Sequence, residues 1–146
     1  MQSILLGESI PKIAKRVQKV TGKNMNDSIR IARTEIGRAE NSGRMDSYKQ
    51  AEKQGLKLTK KWLSTIDNRT RISHQHLNLQ ERDLDDSFSN GLMFPCDNGP
   101  ASEVCNCRCT TIIEFVGLEK GAKEIDLDEK LKKMSYKQWG EYRNVK

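Results

Sequence analysis

No apolar run in this sequence approaches the roughly 18 to 20 residues that span a bilayer, so no membrane partner is expected. The opening stretch MQSILLGES has too short an apolar run for a secretory leader. A soluble chain made and kept in a cytoplasm is the expectation. Aromatic residues make up only 5% and are not interleaved with the basic ones, which argues against stacking of single-stranded bases. There is no nucleophile motif, no internal repeat and no low-complexity segment. Asp83, Asp85 and Asp86 lack the glycine and terminal glutamate of an EF-hand loop, so they read as a solvated acidic turn rather than a calcium site.

The chain has 146 residues, enough for one domain with one modest core. Charged residues reach 32% and the net charge is +6, unevenly spread. Residues 1–66 hold 14 Lys/Arg against 6 Asp/Glu, whereas residues 67–104 hold 3 against 7. A basic helical half of this kind attracts nucleic-acid phosphates or stands as a solvated face. The four cysteines are Cys96, Cys105, Cys107 and Cys109. Thiols this close in sequence rarely bridge each other, which leaves reduced cysteines or a metal site.

Periodicity gives the element order. Ser9 and Pro11 open a short helix with Ile13, Val17 and Val20 on its apolar face, and Gly22 ends it. Asn26 and Asp27 open a longer helix with a stripe of Ile29, Ala32, Ile36, Ala39 and Gly43, closed by Gly55. The period then changes to two. Leu58, Trp62 and Ile66 share one face of a strand, and Lys57, Thr59, Lys61 and Thr65 take the other. Residues 67–104 lack periodicity and read as a long ordered loop, usually a functional feature in so small a domain. A second strand follows over Cys109–Val116. Residues 117–127 read as a linker, and a helix from Asp128 to about Tyr142 docks through Leu131, Met134 and Trp139 or Tyr142. The expected fold is α+β: N-terminal helices packed on a small antiparallel sheet, a long ordered loop and a C-terminal helix. It forms a single domain over 1–146, with 117–146 as a helical extension.

Three blocks carry the candidate chemistry. They are Arg33-Thr34-Glu35 in the long helix, Asp67 through His74 after the first strand, and Cys105 through Cys109 before the second. Antiparallel pairing of the two strands would bring the last two blocks together. With Lys61-Trp62, Phe88 and Pro95 between them, and Asn106-Cys107-Arg108-Cys109 at the end, this order resembles the phage Mu F-like minor head protein family over residues 26–112. The resemblance implies a phage head morphogenesis protein in the virion, in the capsid interior or near the portal, and in the host cytoplasm during assembly. It implies portal or capsid partners and a part in head assembly or DNA delivery; the basic helices would meet packaged double-stranded DNA or an acidic partner surface. Related domains also occur fused to toxin domains. Two features depart from the family. A longer N-terminal region is usual there, so this chain is expected to be a short member or a piece of a longer protein. Leu77-Asn78-Leu79-Gln80 stands where a glycine often follows the histidine block.

The residues admit several roles. His74, Cys107 and Cys109, with Cys96 or Cys105 as a fourth ligand, are donors that zinc takes. Residues two apart on a strand share a side, so Cys105, Cys107 and Cys109 would line one face. Such a site would staple the loop to the sheet. Against this stands simple packing of small buried thiols. Arg33, Glu35, Asp67, Arg69, Arg71 and Arg108 read as an ion-pair network in which Glu35 and Asp67 each hold a guanidinium. Arg69, Arg71 and His74 converging on a phosphate is the other reading. An enzyme alternative, a nuclease or toxin-like effector, uses Glu35 as base, His74 as acid and Arg71 to hold the transition state.

Overall fold

The computed structural model describes residues 6–119 together with Ser135 and Gln138. Helix α1 spans Ile10–Thr21, with Pro11 in the first turn where a missing N–H leaves no bond unmade. Gly22, left-handed at φ 67°, closes it by donating its N–H to the Gln18 carbonyl. Helix α2 runs Met25–Lys53 and starts earlier than expected. Asn24, in extended backbone, is the cap, and its Oδ1 accepts from the Asp27 N–H at 2.9 Å. Asp27 thus falls in the first turn, where a carboxylate suits the helix dipole.

The inward face of α2 differs from the expected stripe. Ala32 is buried, but Ala39 and Gly43 are exposed. The buried positions are Ser28, Ala32, Thr34, Asn41 and Met45. The reason is polar: Thr34 and Asn41 hydrogen-bond the backbone of the cysteine-rich segment, so the helix turns these side chains inward. Asn41 Oδ1 accepts from the Thr111 N–H at 3.2 Å and the Thr110 hydroxyl at 3.1 Å.

Strand β1, Leu56–Leu63, is the centre of a three-stranded antiparallel sheet. It pairs with β2, Glu81–Asp83, on one side and with β3, Thr110–Leu118, on the other. The register sets Trp62 opposite Thr111 and Leu58 opposite Phe115, with a shift between Lys57 and Leu58. Leu58, Lys60 and Trp62 point into the core, as alternation requires. Ile66 does not share that face: the strand stops at Leu63, the chain turns, and Ile66 is 77% exposed. The stretch 67–104 is ordered and contains α3 (Ile72–His76), β2 and α4 (Ala101–Val104), all too short to leave a periodic signal. The second expected strand begins at Thr110 and continues to Leu118, into the segment expected as linker. The helix expected from Asp128 to Tyr142 lies, but for Ser135 and Gln138, outside the described residues.

Two apolar clusters fill the interior. One joins Trp62, Leu77, Phe88, Leu92, Cys96, Val104, Cys107 and Cys109; the other joins Met45, Leu58 and Leu84. Lys60, fully buried between them on β1, donates its ammonium to the Leu84 carbonyl at 2.9 Å and lies 5.3 Å from the Phe88 ring centre. Among the described residues no helix is long and apolar enough to cross a membrane.

Candidate functional site

The end of β1 meets the start of β3, and that pairing brings the distant blocks together. His74 on α3 is 1% exposed. Its Nδ1 lies 3.6 Å from Cys107 Sγ and 3.5 Å from Cys109 Sγ. These three donor atoms lie within 4.8 Å of one another. On the other side of the ring, Nε2 is 3.0 Å from Glu103 Oε2. Glu103 is itself held by Asn90 Nδ2 at 3.2 Å and by the Ser73 hydroxyl at 3.3 Å. The Trp62 ring meets the imidazole edge-on, with centroids 5.2 Å apart. The Cys109 thiol is pushed up to about 12 by its hydrogen bond with Cys107 and by burial.

The other two cysteines divide. Cys96 is fully buried and touches this group: its Sγ donates to the Cys107 carbonyl at 3.6 Å. Cys105 does not line up with Cys107 and Cys109. Asn106 stands between them at φ 57°, and this left-handed residue breaks the extended alternation on which a shared face depends. Cys105 borders a different cleft, with Arg30, Thr34, Glu35 and Arg38 of α2.

The arginine network is also partial. Arg108 grips Asp67 with two bonds of 2.5 and 2.7 Å. The guanidinium holds the Asp67 carboxyl well below the usual carboxylate range. Asp67 Oδ1 also accepts the Arg69 N–H at 2.9 Å, and the Arg71 guanidinium donates to the Cys105 carbonyl. Arg33 reaches Asn106 Oδ1 at 3.2 Å, and Thr34 Oγ1 accepts the Asn106 N–H at 3.1 Å. Glu35 joins none of this. It pairs with Arg38 one turn on, and its side chain is 57% exposed. Glu35 and His74, the base and acid of the enzyme alternative, line separate clefts. The cleft that includes Arg69, Arg71, His74 and Arg108 is narrow, with space for about one water.

The sequence profile described as "Phage Mu protein F like protein" matches residues 1–112. The chain belongs to this family. Among individual relatives, it is 32% identical over 120 residues to the minor head protein GP7 of Bacillus phage SPP1, covering 80% of this chain and 39% of that protein. It is also 37% identical over 140 residues to a protein of Enterococcus faecalis (strain ATCC 700802 / V583) named as the NAD(+)–arginine ADP-ribosyltransferase EFV, covering 91% of this chain and 28% of that one. The chain thus spans well under half the length of either relative. No solved structure matches it.

In this Mu F-like chain the sequence motifs account for only half of the neighbourhood. Glu103, Asn41 and Arg38 were not singled out, yet Glu103 orients His74, Asn41 ties α2 to β3, and Arg38 Nε donates to the Cys96 carbonyl at 2.9 Å. A signal for Asn41 did exist: it lies seven residues after Thr34, on the same helix face, and Met45 and Tyr48 continue that line. Glu103 had a weaker one, an acid close in sequence to candidate ligands, the usual orienting partner of a ligating histidine.

Proposed function

We propose that this chain is a phage minor head protein module that works by binding, as part of head assembly, with portal or capsid proteins as partners and packaged double-stranded DNA as a further contact. The observation that carries this reading is the inward turn of the motif residues. His74, Cys107 and Cys109 are buried, and Asp67, Arg71 and Arg108 are spent on internal bonds. These internal bonds hold a scaffold together; the wider cleft beside them, about 260 Å³, is bordered by Cys107, Arg108 and Cys109 together with Arg33 and Arg44 of α2. The family and the minor head relative support the same setting.

Two surfaces fit such partners. On β3, Ile113 and Phe115 stand opposite Lys60 and Leu58 on the core-facing side, yet they are 40% and 58% exposed. A core face that continues into solvent along an outer strand suits a protein partner. On α1, Lys15 and Lys19 lie one turn apart and exposed, with Lys23 just beyond the helix end, a spacing suited to phosphates.

Co-expression with the portal and major capsid proteins of one phage, followed by sedimentation of the heads, tests the reading. The chain is expected to co-sediment, and Phe115→Lys is expected to release it without lowering stability by more than about 0.5 kcal/mol. A chain found with neither heads nor portal would overturn it. DNA contact predicts a steep loss of duplex affinity between about 50 and 200 mM salt, blunted in Lys15→Glu/Lys19→Glu. A flat salt response removes DNA from the partners. The transferase relative motivates one enzyme control. Incubation with NAD as ADP-ribose donor and an arginine-like acceptor, or with RNA and DNA, is expected to give no product. Cleavage that both Glu35→Ala and His74→Ala abolish would favour the effector alternative.

A further inference from the structure

We infer that His74, Cys96, Cys107 and Cys109 form a closed tetrahedral site for one zinc ion, with Cys105 outside it. The inference stands apart from the head-assembly reading and rests on local geometry. A zinc with bonds of about 2.3 Å to sulfur and about 2.0–2.1 Å to nitrogen, at the tetrahedral angle, sets each N···S edge near 3.6 Å. The two measured edges, His74 Nδ1 to Cys107 Sγ and to Cys109 Sγ, are 3.6 and 3.5 Å. His74 Nδ1 therefore already stands from the Cys107 and Cys109 sulfurs at the spacing the ion imposes.

Hydrogen bonding alone accounts poorly for this arrangement. A neutral imidazole nitrogen offers one lone pair in its ring plane, yet two thiols converge on Nδ1. The opposite nitrogen, Nε2, faces the Glu103 carboxylate, which takes its N–H and so leaves Nδ1 unprotonated toward the sulfurs. A carboxylate–histidine pair with the free nitrogen aimed at two thiols is how a ligating histidine is oriented. Asn90 and Ser73 fix Glu103 in turn.

Cys96 supplies the fourth ligand. It is fully buried, in contact with the Cys107 carbonyl, and held at φ 66°, a left-handed conformation that side-chain-bearing residues rarely adopt. Its Sγ, which now donates to the Cys107 carbonyl, lies outside the group of donor atoms within 4.8 Å of one another, so it must leave that carbonyl and turn toward the other three ligands. Helix α2 carries Gly37 where this thiol comes closest: a Cβ there would lie 3.0 Å from Cys96 Sγ. Zinc with three thiolates carries one net negative charge, and the Arg38 and Arg71 guanidiniums, bound to the carbonyls of Cys96 and Cys105, sit on either side to offset it. On binding, the three thiol protons leave to solvent and the neutral histidine gives up none. Three sulfurs and one nitrogen in a tetrahedron select zinc over the harder cations.

The test uses the full chain, purified reduced and without chelator. Elemental analysis is expected to find about one equivalent of zinc. Cobalt(II) added to the stripped protein should give a tetrahedral spectrum with a thiolate charge-transfer band. Cys105→Ser should keep both results. Cys107→Ser should lose tight binding, and Cys96→Ser, which leaves the histidine and the C-x-C pair intact, should lower the charge-transfer band by about one third. Glu103→Gln should keep the stoichiometry while weakening zinc affinity by about 10–100-fold. Less than about a tenth of an equivalent of zinc, together with no cobalt spectrum from the folded wild-type chain, overturns the site. An undiminished thiolate band in Cys96→Ser, or a lost one in Cys105→Ser, overturns the ligand assignment.

Discussion

The same substitution at two glycines of α2 should move stability in opposite directions. Gly43 lies in the helix interior, exposed, with nothing within 4 Å of where a Cβ would sit. Alanine there removes backbone freedom from the unfolded chain and meets no obstacle, so Gly43→Ala should stabilise by about 0.5–1 kcal/mol. Gly37 sits on the same helix and gains the same propensity. Its added Cβ, however, would stand 3.0 Å from Cys96 Sγ, 3.8 Å from Cys96 Cβ and 3.9 Å from the Cys107 carbonyl oxygen. Cys96 has no solvent to move into and is pinned by its left-handed backbone. Forcing an extra carbon into such packing costs about 1–3 kcal/mol. The propensity gain is common to both variants, so the gap between them isolates the steric cost, centred on about 2 kcal/mol. For a chain of this size that gap is roughly 6–8 °C in Tm. Urea unfolding in the presence of chelator, with m unchanged across the series, is the measurement, since chelator removes any contribution from metal binding. A Gly37→Ala variant as stable as Gly43→Ala would refute the close approach of α2 to Cys96.

Three further outcomes follow from the interior and the Asp67–Arg108 pair. Lys60 is buried, and burial, helped by the nearby Lys49 charge, lowers its pKa from 10.5 to about 8. Between those values the unfolded chain binds the proton that the folded chain has lost, so the stability of wild type relative to Lys60→Met should rise from pH 8 to pH 10, by up to about 3 kcal/mol, in parallel denaturant melts; a flat difference would contradict the burial of the ammonium. Asp67 is the reverse case: the Arg108 guanidinium depresses its carboxyl, so its contribution is full above the unfolded carboxylate value, near 4, and is lost as pH falls toward the lower folded value. Asp67→Asn should accordingly flatten the acid limb of stability against pH below about 4, and an unchanged limb would count against the pair. Phe88, 1% exposed and edge-on to Trp62 at 5.1 Å, should cost about 3–5 kcal/mol as alanine by thermal or urea unfolding; a loss under about 1 kcal/mol would mean that the cluster is not the core.

What the sequence made legible was whatever repeats with a fixed period or stands in a fixed order. Gly22 and Gly55 ended their helices as expected, because a left-handed residue past the last turn is a local requirement. Leu58 and Trp62 faced inward by strand alternation, and the antiparallel pairing of β1 with β3 carried His74 to Cys107 and Cys109. Two of the differences share one cause: a rule of periodicity extends only as far as the backbone that sustains it. Ile66 was counted on a strand that ends at Leu63, and Cys105 on a strand that Asn106 interrupts. On α2 the apolar stripe misled because the helix meets a segment rich in unpaired backbone groups, and Thr34 and Asn41 satisfy them better than alanine would.

The choice between Glu35 and Glu103 shows a deeper limit. Both are glutamates near candidate blocks, and no spacing rule says which carboxylate meets the histidine. The path of residues 77–104 decides it, folding α4 over α3 while Glu35 stays with Arg38 at the surface. That outcome moves the argument about function as well. With Glu103 and the sulfurs around His74, and Asp67 closed on Arg108, the motif braces the interior, and binding, as proposed, falls to residues outside it. On that proposal, substitutions at the exposed lysines of α1 and at the exposed apolar side chains of β3 should lower binding without loss of the fold, the separation that a binding module requires.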